Sequence, residues 1–253
     1  MSGTDNILSV FRQADQFDLG EGLSAYFHYR QMMESLGIHY GYPLEQVAAA
    51  FSALSPNNDY IGNLRSLVTV LLGHKEGRTP DEITVTSYRA CARRAYLYLD
   101  GVPFLDHARG PKTRSFFVNI MQPWLPHFVT VDGHMVSVWK GERLRMKEVA
   151  TSKAVSSYRR YERVADDFRL VAHRLGILPS QVQAVAWFVW KRINDIVFES
   201  QLSLLRPGDQ WRLHLTPAEI KPYPPPRRAG VPVPAQVAAK ESARAATLFT
   251  SAG

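Results

Sequence analysis

The chain has almost no cysteine. Cys91 is the only one in 253 residues, which excludes an internal disulfide framework and any zinc or iron–sulfur site built on several thiolates. It lies in YRACARRAYLYL and is expected to be a small buried hydrophobe. Long apolar runs are missing as well. The most apolar stretch, VQAVAWFVW at residues 182–190, is far too short to cross a bilayer and ends in Lys191-Arg192. The first residues, MSGTDNILSVFRQADQF, carry early acids and no apolar segment of signal-peptide length. A soluble cytoplasmic protein with no membrane partner is the expectation. No alternating strand pattern and no internal repeat is visible. GPKT at residues 110–113 is not a P-loop, because no glycine stands five residues before a Gly-Lys pair.

What is present is helical period and positive charge. The chain is 45% hydrophobic with a formal net charge of +7 and an isoelectric point near 9.6. Such a balance directs attention to polyanions, nucleic acid before an anionic membrane. Apolar residues recur at three- and four-residue spacing over 22–36, 43–54 and 61–73, with Gly73 as the expected stop. A helix opening at Pro80 and running through YRACARRAYLYL is predicted next. Helices follow at about 112–121, 133–146 and 154–175, and one opened by Pro179 runs through PSQVQAVAWFVWKRINDIVF. That last helix is apolar nearly all round, so it should be central, with Trp187 and Trp190 in the core. Thr216 and Glu219 have capping-box spacing. Beyond Lys221 the composition turns to proline and alanine, with Lys221, Arg227, Arg228, Lys240 and Arg244 against Glu241. The organisation predicted is an all-α domain over 1–220 and an extended, basic Pro/Ala-rich tail over 221–253, with a short helix near 235–248.

Two short stretches carry the chemistry. In GPKTRSFFVN, Gly110 permits a turn, Pro111 suits a first helical position, and the N–H groups of the next residues form an anion site fit for a DNA phosphate. Lys112 lies in this electropositive turn between Arg109 and Arg114. Neighbouring positive charge disfavours the ammonium form, which is what an amine nucleophile needs. In VTVDGH, Asp132 is placed to cap the next helix, with an apolar run leading into it. A carboxylate near a lysine amine suits chemistry at a sugar carbon. The plain alternatives are a surface lysine and a capping aspartate. His107, His127 and His134 flank the region with Asp106 and Asp132 but lack the tight spacing of a metal site, so no metal is expected. In YRRYERVADDFRLVAHR, Arg159, Arg160, Arg163, Arg169 and Arg174 read as a solvated face laced with Glu162, Asp166 and Asp167, ahead of a DNA-facing helix. Gln181 and Gln183 are weaker candidates for hydrogen bonds to a base edge.

Taken together, GPKT, VTVDGH and ALSPNNDYIGNLRSLVTVL resemble motifs of the helix–hairpin–helix DNA glycosylase superfamily over roughly residues 45–195. ALSPNN, KTRSFFVN, VTVDGH and QVQAVAW are similar to small proteins of phages and mobile elements related to it. The resemblance implies a two-lobed helical fold with a cleft. It implies a base-excising enzyme, with or without abasic-site lyase activity, acting on double-stranded DNA, in the nucleoid or in a phage-infected cell, with no cofactor; the missing cysteine cluster excludes the superfamily's iron–sulfur branch. Lys112 and Asp132 fall on the nucleophile and catalytic-carboxylate positions. Asn57, Asn58, Asp59 and Asn63 fall on the lesion-facing segment, and Arg109, Gly110, Thr113, Arg114 and His134 become DNA-binding candidates. Ala108 stands where the superfamily's hairpin has its first glycine. A noncatalytic DNA-binding protein of the same fold, or an enzyme altering a hypermodified base, are the alternative expectations.

Overall fold

A computed structural model describes residues 1–108, 110–145 and 148–196. The described residues are all-α, with no strand among them. The helices are α1 (Gly3–Phe11), α2 (Gln16–Tyr40), α3 (Leu44–Leu54), α4 (Tyr60–Lys75), α5 (Arg89–Leu99), α6 (Phe104–His107), α7 (Pro111–Met121), α8 (Gly133–Lys140), α9 (Val149–Ser156), α10 (Tyr158–Leu175) and α11 (Pro179–Ile193). None is long and apolar enough to cross a membrane. The chain divides into two compact units. The first joins Met1–Phe27 to Arg109–Ile196, and the second is built from His28–Ala108.

The first unit closes the chain on itself. Its core takes Ile7 and Val10 from α1, Val129 and Val131 from the segment before α8, and Val136, Phe168, Val171, Val182 and Val189 from α8, α10 and α11. Both tryptophans of α11 were expected in the core. Trp190 is buried, whereas Trp187 is only half-buried, with the Lys191 ammonium 4.2 Å from its ring centroid. The helix α1, which the early acids of the sequence had not suggested, starts with a capping box between Ser2 and Asp5. It docks through polar contacts: Asn6 Nδ2 donates to the Trp139 carbonyl at 3.0 Å and the Thr4 hydroxyl to Asp167 at 3.2 Å. At the start of α2, buried Asp18 receives Arg192 Nε and Nη2 at 3.0 and 2.6 Å.

The second unit stacks α3 on α5 and α4. Three consecutive buried alanines, Ala48, Ala49 and Ala50, keep α3 slim enough for close approach, and Cys91 on α5 is buried as expected.

Several sequence-predicted boundaries differ. α4 does not stop at Gly73 but runs to Lys75. No helix opens at Pro80: α5 begins at Arg89, because the β-branched residues Ile83, Thr84, Val85 and Thr86 resist helix and the Thr86 side chain is held elsewhere. α8 ends at Lys140 rather than 146, where Gly141 turns left-handed with φ 73°. The predicted 154–175 helix is two, broken at Ser157, which ends α9 and begins α10. The helix opened by Pro179 ends at Ile193 rather than 198. The Thr216–Glu219 cap, the 235–248 helix and the 221–253 tail lie outside the described residues.

Candidate active site

The site is built from α7 outward. Gly110 has φ 90°, a conformation side chains other than glycine's resist, and Pro111 follows at the first helical position. Ala108, by contrast, has φ −67° and ψ 121°, ordinary extended backbone in which nothing requires glycine. Lys112 and Thr113 are half-buried in the first turn of α7. Arg114, one residue on, is buried, 8% exposed, so it is not a surface phosphate contact. Arg109 lies outside the described residues.

Two polar residues four apart on α7, Ser115 and Asn119, point inward. Asn119 Nδ2 donates to the Thr130 hydroxyl at 3.0 Å. Ser115 shares a hydrogen bond with the Tyr161 phenol of α10. That phenol donates to the Val129 carbonyl at 2.6 Å and accepts the Val131 N–H at 2.9 Å. Burial pushes the Tyr161 phenol far up from its ordinary value, so it stays neutral. The extended segment Phe128–Val131 is thereby fastened to both α7 and α10, and it delivers Asp132 to the start of α8.

Asp132 caps α8, as its place before Gly133 predicts: Oδ1 accepts the Met135 N–H at 2.9 Å. The carboxylate is half-buried, and Oδ2 has no hydrogen-bond donor among the described residues. One oxygen fixes the orientation and the other remains for a ligand. His134, next but one, is half-buried. His127 is exposed, its carbonyl accepts from Arg169 Nε at 2.7 Å, and partial burial together with the Arg169 charge lowers its imidazole pKa. Among the described residues no three His, Cys, Asp or Glu side chains gather as metal ligands.

The residues of ALSPNNDYIGN serve mostly as caps. Helix α3 ends at Leu54, and the last carbonyls of a helix need outside donors. Asn63 Nδ2 supplies one to Phe51 at 3.2 Å, the Ser55 hydroxyl one to Ser52 at 2.9 Å, and Asn58 Nδ2 one to Leu54 at 3.3 Å. Asp59 caps α4 through the Gly62 N–H at 2.6 Å. The Thr86 hydroxyl lies 2.8 Å from Asn58 Oδ1 and 2.9 Å from the Gly62 carbonyl, stitching residues 83–88 across the loop. Asn63, 3% exposed, and Asn58 are therefore committed to the fold rather than presented to DNA. Asn57 and Asp59 are the exposed polar residues here, and Asn57 is held left-handed at φ 54° on this braced loop.

The glutamines of α11 are committed too. Gln181 Oε1 accepts the Leu178 N–H at 3.0 Å and its Nε2 donates to the Leu23 carbonyl at 2.9 Å. Gln183 is 5% exposed and accepts from the Tyr26 phenol at 2.6 Å. Neither presents a free edge to a base. The sequence reading missed Tyr161, Ser115 and Asn119, the residues that hold the site. The legible signal was a serine and an asparagine four residues apart among the aromatic and aliphatic residues of α7.

A family model described as "Family of unknown function (DUF7178)" matches residues 2–194. The chain belongs to that family. No curated protein and no solved structure matches it. The matched span takes in every helix from α1 to α11 and so both compact units. The matched span thus contains the Asp18–Arg192 closure, which joins its two ends, and the Lys112 and Asp132 elements between them.

Proposed function

We propose that this chain is a DNA glycosylase of the helix–hairpin–helix kind, with the two-lobed fold of that superfamily and with Lys112 and Asp132 as its reacting pair. One observation carries the reading. The helix that opens on Gly110-Pro111-Lys112 and the segment that ends in Asp132 are bonded to each other through Asn119–Thr130 and, by way of Ser115, to the same Tyr161. Such bracing is what a site requiring fixed geometry needs. The open Oδ2 of Asp132 is suited to positive charge at a sugar carbon.

In this reading a base is extruded from the duplex, at an unstacking cost of a few kcal/mol. The neutral Lys112 Nζ bonds to C1′ as the C1′–N bond breaks and the base leaves with the electron pair. Asp132 stabilises the positive charge developing on the sugar and takes the proton lost by the amine. Ring opening then gives a Schiff base between Lys112 and C1′.

The test is borohydride trapping on duplexes carrying an abasic site or a modified base. The wild type should form a covalent adduct, and Lys112→Ala should form none. Asp132→Asn, which keeps the cap, should slow adduct formation by about a hundredfold or more. If the wild type yields no adduct and Lys112→Ala leaves every activity on DNA unchanged, the nucleophile assignment falls. DNA binding without an adduct would mark a noncatalytic DNA-binding protein.

A further inference from the structure

The sequence of α10 suggested arginines laced with acids. The structure separates them. Glu162 and Asp166 both pair with Arg169, at 2.9 and 2.6 Å. Asp167 turns the other way, accepting the Trp139 indole N–H at 2.6 Å and the Thr4 hydroxyl at 3.2 Å. The three acids of α10 are therefore occupied, and Arg159, Arg160 and Arg163 make no ion pair among the described residues. All three are exposed. Arg163 neighbours Arg159 at a four-residue and Arg160 at a three-residue spacing, so three like charges share one helix surface, which destabilises a free helix.

A fourth cation joins them. With its N–H fixed by Asp167, the Trp139 ring holds the Lys140 ammonium 5.1 Å and the Arg163 guanidinium 5.8 Å from its centroid. Lys140 is the last residue of α8, so the end of α8 meets α10 at this indole, and Arg159 and Arg160 lie one helical turn before Arg163 on α10. Asp132 begins the same α8. An eight-residue helix is about 12 Å long, so the patch sits about two helical turns from the candidate carboxylate.

We propose that this surface, Lys140 and Arg163 at Trp139 with Arg159 and Arg160 one helical turn away, grips the phosphate backbone of DNA. It rests on the glycosylase reading only for the choice of DNA as the polyanion. Clustered cations whose acids are engaged elsewhere are suited to exchange bound counterions for phosphates, and binding of this kind weakens steeply with salt. Arginine forks match phosphate oxygens bidentately, and the fixed ring limits the freedom lost on binding.

The experiment uses the full chain and a fluorescein-labelled DNA duplex of about twenty base pairs, with anisotropy read across a salt series. The triple variant Arg159→Ala/Arg160→Ala/Arg163→Ala should bind at least about tenfold more weakly at about 0.1 M salt and flatten the log–log salt slope by about 2–3. Arg93→Ala should change neither, since it removes an exposed arginine paired with Asp81 in the second unit. The charge-preserving Arg159→Lys/Arg160→Lys/Arg163→Lys should keep the slope, which guards against misfolding of the alanine variant. Unchanged affinity and slope in the alanine variant would overturn the proposal. So would an equal loss in Arg93→Ala, or binding to phosphatidylserine vesicles with none to the duplex. Patch-dependent binding without any borohydride adduct would leave this surface standing and remove only the Lys112 chemistry.

Discussion

The two compact units solve the same problem over different distances. In the first, two polar ties join residues 174 and 157 positions apart, Asp18 to Arg192 and Tyr26 to Gln183, while Tyr161 reaches back 32 and 30 residues to Val129 and Val131. In the second the ties of this kind span at most 32 residues: Asn63 to Phe51, Thr86 to Ser66 and to the Gly62 carbonyl, and Tyr42 through His74 to Asp100. Long-range ties hold segments that have no other reason to meet, while short-range ties finish helix ends that local sequence has already started. A buried polar group in the first unit thus fixes topology. In the second it fixes a boundary.

The sharpest way to break this contrast is Tyr161→Phe. The ring is kept, but the Val129 carbonyl and the Val131 N–H lose a buried partner. The expected loss is about 2–3 kcal/mol, read from the urea midpoint, with trapping at Lys112 impaired as the Asp132 segment loosens. Asn63→Ala in the second unit should cost less, about 1–2 kcal/mol, since only the Phe51 carbonyl at a helix end is exposed to loss. Equal costs would show that sequence distance is not what distinguishes the two units.

The smallest effect concerns acid. Burial lowers the His28 pKa from its ordinary 6.5, so between the lowered value and 6.5 the unfolded chain binds more protons than the folded one. Stability is then fully present above about 6.5 and falls as pH drops through that window. His127 in the first unit is lowered in the same direction, by burial and by Arg169. Thermal midpoints measured between about pH 7 and 5 should decline. His28→Gln should make that decline shallower but not remove it.

The period of apolar residues made most helices legible, because a buried face is a local property of spacing. Pro111 and Asp132 were legible for a similar reason: a first-turn proline and a capping carboxylate act within a single turn. The strap over 83–88 was not, since Thr86 leaves the helical pattern for partners 20 to 28 residues away. Asn58 and Asn63 were misread because asparagine caps a neighbouring helix and contacts a ligand with the same groups. The solvated, acid-laced face of α10 was legible, but the choice of partners was not, because sequence lists acids and bases together without saying which side chain each one chooses.

The Asp18–Arg192 clasp has a consequence for synthesis. Domains form as their residues emerge, N-terminal ones first. The described residues of the second unit are all translated once Ala108 is made, whereas Met1–Phe27 must wait for α10 and α11 to receive them. Met1–Phe27, translated before the described residues of the second unit, is thus placed after them. Through most of elongation it is a waiting segment that a truncated product would leave permanently uncovered.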